Sequence, residues 1–411
     1  MRAWIIAILL GAASASLTSM ASAQESASAE EALTSGKLIF NLRPRYEYVD
    51  QANFTETANG LTMRTILGWQ TGTWQGFSAK GTLINVAQFI DDFNDTLNGK
   101  TQYPVIADPD DTDVNELYLD YSGFSDTLLR GGRQSIVLDQ ARFVGNVQFR
   151  QLMQVFNAVT AENKSLKNTD LYAGYLWRIR TVTTRQLQTS TTLLHGRYAL
   201  TPDDDLIAFG YFQDQDNAIA NTAFQGPAPT NTSNQILGVR GSGAHPMNDT
   251  WKLLYIAELA TQTDYAGGDP RIDADYLHLG GGGQIGAHSL RIDYELLGSN
   301  DGRYAFQTPL GTNHLYQGWA DQFLVTPPQG IRDIYATYVG KIQKASLEAA
   351  YHQFDADYGG LDFGDELDLG FSYPLHKKLV GKLEYADYQA GDSGTGKYDT
   401  TKFWVTLIFN W

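Results

Sequence analysis

Between Lys37 and Asp50 the chain reads KLIFNLRPRYEYVD, and at a period of two its side chains sort into two faces. Leu38, Phe40, Leu42, Pro44, Tyr46 and Tyr48 fall on one side, and Asn41, Arg43, Arg45 and Glu47 on the other. The tyrosines closing the apolar side match the aromatic belt of a strand that crosses a bilayer, which leaves the ionic side facing water. The pattern recurs. Leu290, Ile292, Tyr294 and Leu296 oppose Arg291, Asp293 and Glu295; Leu367, Leu369, Phe371 and Tyr373 oppose Glu366, Asp368 and Ser372; Leu61, Met63, Leu67 and Trp69 oppose Thr62, Arg64 and Gln70. Segments 128–137 and 274–283 fit either facing, so that Arg130 or Arg133 would face inward depending on register.

Eighteen such segments run from 37–49 to 400–411, joined alternately by long and short connections. The clearest long ones are 91–113, 138–153, 214–232 and 299–330; short ones include 71–75, 164–168, 202–205 and 374–378. The expectation is an all-β fold, a transmembrane antiparallel β-barrel of about 18 strands with both termini periplasmic and the long loops outside. Residues 1–23 have the charge, apolar run and Ala-Ser-Ala end of a secretory signal, 24–36 read as a short periplasmic lead, and 37–411 form a single barrel. The last segment ends on Trp411 and resembles the terminal strand through which outer-membrane proteins are recognised by the barrel-assembly machinery. The expected surroundings are outer-membrane lipid and lipopolysaccharide.

Composition narrows the chemistry. With 0 cysteines the chain has no disulfides, thiolate metal sites or thiol catalysis. The formal charge of −16 argues against a nucleic-acid partner. Its placement is uneven: residues 140–200 hold eight basic side chains against two acidic ones. The seven histidines are scattered and no Ser/His/acid set stands out, so neither an enzyme nor a cofactor is expected. The runs DDFND (91–95) and DPDDTD (108–113) supply hard oxygen ligands suited to Ca²⁺ but lack the EF-hand pattern, and read better as solvated charge.

Cations on the water-facing side, Arg43, Arg45, Arg64, Lys80, Arg197 and Arg291, would concentrate anions, and the guanidinium fork matches a carboxylate. The competing reading is that they pair with Glu47, Glu116, Asp120, Asp293, Glu295, Glu348 and Glu366 and brace the wall. Segment 138–153, LDQARFVGNVQFRQLM, is too apolar and basic for a solvated loop. Phe143, Val144, Val147 and Phe149 are expected against the inner wall, with Arg142 and Arg150 at a constriction.

The segments LRPRYEYVD, GLTMRTILGWQTG, NGKTQYPVIADPDDTDVNELYLDY, GGRQSIVLDQARFVGNVQFRQ and DTTKFWVTLIFNW together resemble the alginate export family of outer-membrane proteins, most strongly from Arg43 to Gln151. The resemblance implies an eighteen-stranded barrel with an electropositive conduit for a polyuronate, and places Arg43, Arg45, Arg64, Arg133, Arg142 and Arg150 in it as substrate-binding residues. A departure is the 24 acidic against 13 basic residues from Leu206 onward, which implies a less uniformly positive lumen. The functional expectation is a channel for anionic, uronate-rich oligo- or polysaccharide. The alternatives are a less selective uptake porin for small solutes and a barrel filled by its own side chains.

Overall fold

A computed structural model describes residues 25–215 and 223–411. The expected signal segment 1–23 lies outside the described residues, as does part of the connection 214–232. Eighteen antiparallel strands close into one sheet. In order they are β1 (Lys37–Gln51), β2 (Ala58–Gln70), β3 (Phe77–Asp92), β4 (Asp111–Tyr121), β5 (Thr127–Gln134), β6 (Val155–Asn163), β7 (Thr169–Arg180), β8 (Gln186–Ala199) and β9 (Asp204–Asp214). Then come β10 (Asn234–Pro246), β11 (Trp251–Asp264), β12 (Asp273–Ile285), β13 (His288–Leu297), β14 (Ile331–Ile342), β15 (Ala345–Asp355), β16 (Asp362–His376), β17 (Leu379–Ala390) and β18 (Thr400–Asn410). Each strand pairs with its neighbours in the chain, and β1 also pairs with β18, Glu47 opposite Trp404. Closure leaves no strand edge, the condition for a sheet to sit in hydrocarbon. No helix among the described residues is long and apolar enough to cross a membrane. A short helix, α1 (Ala29–Thr34), occupies the lead, where Trp69 Nε1 donates to Leu33 O at 2.9 Å.

The alternation selects the faces as the sequence indicates. Leu290 and Ile292 on β13 are 56% and 61% exposed, whereas Asp293 and Glu295 on the other face are buried. The outer wall is a continuous apolar surface that includes Leu117, Leu119, Val159, Leu194, Val239, Leu259, Ile334, Leu369 and Leu407. In water such a patch would be a liability; in lipid it is the required solvent.

One strand breaks the simple alternation. On β5, Gly132 has φ +133°, and the turn it gives the backbone sends both Arg130 and Arg133 to lumenal acids: Arg130 to Asp120 at 2.6 Å and Arg133 to Asp113 at 3.2 Å. On β12, Tyr276 and His278 face inward and Leu279 outward. The inner faces of β8 to β12 carry Leu193, Ile207, Phe209, Ile236, Ala260 and Tyr276, all buried in one apolar cluster. That quadrant is apolar on both faces because a loop covers it from inside.

Candidate functional site in the barrel interior

The two long connections after β5 and β13 fold into the lumen and are stitched to each other. Gly145 N donates to Leu310 O at 2.8 Å, Thr312 N to Ala141 O at 2.8 Å and Val147 N to the Thr312 hydroxyl at 3.1 Å. Phe143 is driven into the apolar quadrant, 5.0 Å from the Phe209 ring and 5.3 Å from that of Tyr276. Val144 is buried beside it, and Phe149 stacks on His314 at 3.4 Å, with Trp404 of β18 edge-on at 5.6 Å. The apolar residues of 138–153 do pack on the inner wall. The inward course of 299–330, with Phe306, Leu310, His314, Ala320 and Phe323 buried, is an addition to the sequence reading.

Arg43, Arg45 and Arg64 project from adjacent inner positions of β1 and β2, with Arg43 directly opposite Arg64 across the strands. All three are buried. Arg43 donates to the backbone carbonyls of Gln148 (2.8 Å), Phe149 (3.0 Å) and Arg150, and its Nε to Gln151 Oε1 at 2.9 Å. Arg45 donates to Phe149 O and lies 3.8 Å from Glu47 and from Asp108. Among the described residues Arg64 binds only the Asn41 side-chain oxygen, at 3.0 and 3.2 Å, and its Nη1 has no partner. Arg150 joins this group from the loop: its Nη1 spans both oxygens of Glu47 at 3.1 Å and its Nη2 reaches Asp321 at 3.0 Å.

The other two expected residues sit elsewhere. Arg133 shares Asp113 with Arg180, which also donates to Met153 O at 3.1 Å. Arg142 is buried against Glu295 at 2.8 Å, its guanidinium 4.4 Å from the Tyr316 ring centroid. Arg142 and Arg150 are thus clasped by acids rather than presented at an open constriction, because each loop guanidinium meets a carboxylate on the wall or the second loop. Residues the pattern did not nominate complete the site: Asp321, which binds Arg150, Lys402 (2.8 Å) and His314 Nδ1 (2.7 Å), together with Arg180, and Arg240 on Asp139 at 2.8 Å. For Asp321 and His314 the signal in the sequence was the aromatic content of 313–325 in a supposedly wet loop.

Burial opposes the charge on Asp321, but Lys402, His314 and Arg150 together hold its carboxyl well below the ordinary range. Burial also pushes His314 below the usual imidazole value; Asp321 pulls it back up, and Arg150 and Lys402 add smaller contributions in the direction of burial. For Asp139, His195 and Arg240 overcome burial and lower the carboxyl.

The acidic runs are not solvated throughout. Asp108 is fully buried, accepting from Gln151 N at 2.7 Å, and Asp95 is buried, accepting from the backbone N–H groups of Leu97 and Asn98 at 2.7 Å. The loops turn inward, so these carboxylates are spent on holding backbone. Among the described residues no group of three or more His, Cys, Asp or Glu is arranged to hold a metal ion.

The alginate export family model matches residues 37–305, which takes in β1 to β13 with the cation group and the first inward loop. The chain belongs to the alginate export family. The match stops short of the closing strands, where the sequence resemblance was also drawn. No match is found among curated proteins. As an alginate export family member it is a bacterial outer-membrane barrel, and its shape is similar to solved outer-membrane structures. OpdL of Pseudomonas aeruginosa superposes with a TM-score of 0.70 at 17% identity, over 92% of this chain and 99% of that one. OccAB4 of Acinetobacter baumannii gives 0.68 at 13%, over 92% and 98%. OpdK of Pseudomonas aeruginosa, solved with vanillate, gives 0.68 at 15%, over 92% and 100%.

Proposed function

We propose that this alginate export family barrel is a passive channel for anionic, uronate-rich oligo- or polysaccharide, with Arg43, Arg45 and Arg64 guiding carboxylates and Arg133, Arg142 and Arg150 extending the path. One observation carries the reading. Arg43 and Arg64 face each other across β1 and β2 with no carboxylate at hydrogen-bonding distance among the described residues, and one Arg64 nitrogen is left without any acceptor. Two buried cations held together without a counter-ion repel, and an orphaned N–H is costly. A passing carboxylate relieves both, and its planar oxygens fit the guanidinium fork.

In this reading residues 1–23 are removed on export, 24–36 form the lead, and the barrel 37–411 sits with both ends of the chain on the periplasmic side. Lys37 and Asn410 lie at the short-turn end of the wall, which supports that orientation. Lipopolysaccharide around the long loops and docking of the last strand, ending at Trp411, on the assembly machinery belong to the same proposal.

Single channels in planar bilayers test it. Anion selectivity and block by oligouronates are expected, and Arg64→Glu should weaken the block by about tenfold or more, the loss of one charge-assisted contact. Cation preference, or a pore indifferent to oligouronates, refutes it.

A second reading has its own support: the two interlocked loops narrow the lumen, and acids including Glu295, Asp333, Glu366 and Asp368 line the wall beside them. That arrangement suits a porin for small solutes, as does the likeness to OpdK, a barrel solved with a small carboxylate. Liposome swelling separates the two, since a porin of that kind passes neutral sugars by size alone.

A further inference from the structure

The short-turn rim divides into two unlike halves. In the half from β2 to β11 the turns mix charges: Asp126 follows β4, Lys164 and Lys167 lie between β6 and β7, Asp203 precedes β9 with Lys252 on it at 3.4 Å, and Asp249 sits between β10 and β11. From β12 to the end the character changes. The turn stretches 285–289, 341–345 and 375–379 carry Lys341, Lys344, Lys377 and Lys378, with His288 and His376, and no Asp or Glu side chain. Lys344 and Lys377 are exposed. Lys378 lies over the Trp411 ring, its Nζ 3.2 Å from the centroid. Each turn also presents one large apolar side chain more than half exposed, Ile285, Ile342 and Leu375, with Trp411 completing the arc.

Apolar anchors level with lysines, continuous with the greasy outer wall, form an amphipathic edge that needs acyl chain below and negative charge above. Water leaves the first unburied. A protein partner would have to cover three turns that are set into the membrane rim. Phosphate headgroups of a bilayer satisfy both at once.

We propose that the turn edge spanning β12 to β18 is a binding surface for anionic phospholipid, which surrounds this arc in preference to zwitterionic lipid. Each lysine near such a surface contributes about 1 kcal/mol, or about fivefold in occupancy.

The test uses the full barrel reconstituted in bilayers of phosphatidylcholine and phosphatidylglycerol in equal parts, extracted gently, and its retained lipids counted by native mass spectrometry. Phosphatidylglycerol should exceed phosphatidylcholine about fivefold or more, the excess should fall with salt, and Lys344→Glu with Lys377→Glu should abolish it. Lys344→Ala with Lys377→Ala, which adds no repulsion, should reduce it. Equal retention of the two lipids by the wild type, an excess unchanged in both double variants, or preference for lipid A over phosphatidylglycerol when both are offered overturns the proposal. Channel selectivity and oligouronate block should be unaltered in these variants, so failure here leaves the transport reading untouched, and the reverse.

Discussion

Arg150 is held between Glu47 on β1 and Asp321 on the second inward loop, with Arg150 and Glu47 buried. Arg150→Met would leave Glu47 with only the more distant Arg45 and would remove one of the two cations on Asp321, and the expected cost is about 3–5 kcal/mol, read as a lower urea midpoint for the bilayer-inserted barrel. Arg150→Lys should fall between, since one ammonium cannot span Glu47 and reach Asp321 together. The neighbouring His314 sets a pH dependence. Its imidazole is depressed in the folded chain, so the neutral form is the one that fits: stability is whole above the unfolded imidazole value of about 6.5 and drains away as pH falls through the lower folded value. Asp321, also depressed, adds its loss further down, below the ordinary carboxylate range. Proteolysis of the inward loops should therefore accelerate as pH drops below about 6, and His314→Phe, which keeps the stack on Phe149, should flatten the upper part of that profile.

At the level of strands and loops, parity was informative and height was not. The two-residue period gave the inward set Arg43, Arg45, Glu47 and the outward set Leu42, Pro44, Tyr46 correctly, because one-residue slips exchange lipid for water along a whole strand. It failed on β5, where a glycine at positive φ overrides alternation, and on β8 to β12, where an inner apolar face needs the knowledge that a loop will cover it. The composition of 138–153 announced a packed loop; the partners of Arg142 and Arg150 were invisible, since Glu295 and Asp321 come from chain positions far away. Residues 299–330 were read as an ordinary long connection although their Phe, Trp and His content carried the same signal. Replacing 303–327 by a short Gly/Ser linker removes half of the stitched pair and should raise single-channel conductance severalfold while leaving the strand content by circular dichroism nearly unchanged.

For the molecule as a whole, the outer wall makes the firmest claim, that its solvent is hydrocarbon. Ile292→Arg, placed on the outward face near the middle of β13, should cost about 2–4 kcal/mol in a bilayer. The same change on a water-exposed surface would be nearly silent, so a neutral result would remove the lipid-facing assignment. The seam between β1 and β18 has its own consequence. The ribbon cannot become a cylinder until β18 has arrived beside β1, so insertion must wait for the eighteenth strand. A product cut short before Thr400 has two raw borders of unpaired amides with nowhere to hide them, which marks it for clearance by proteases and spares the membrane a leaky, half-built ring.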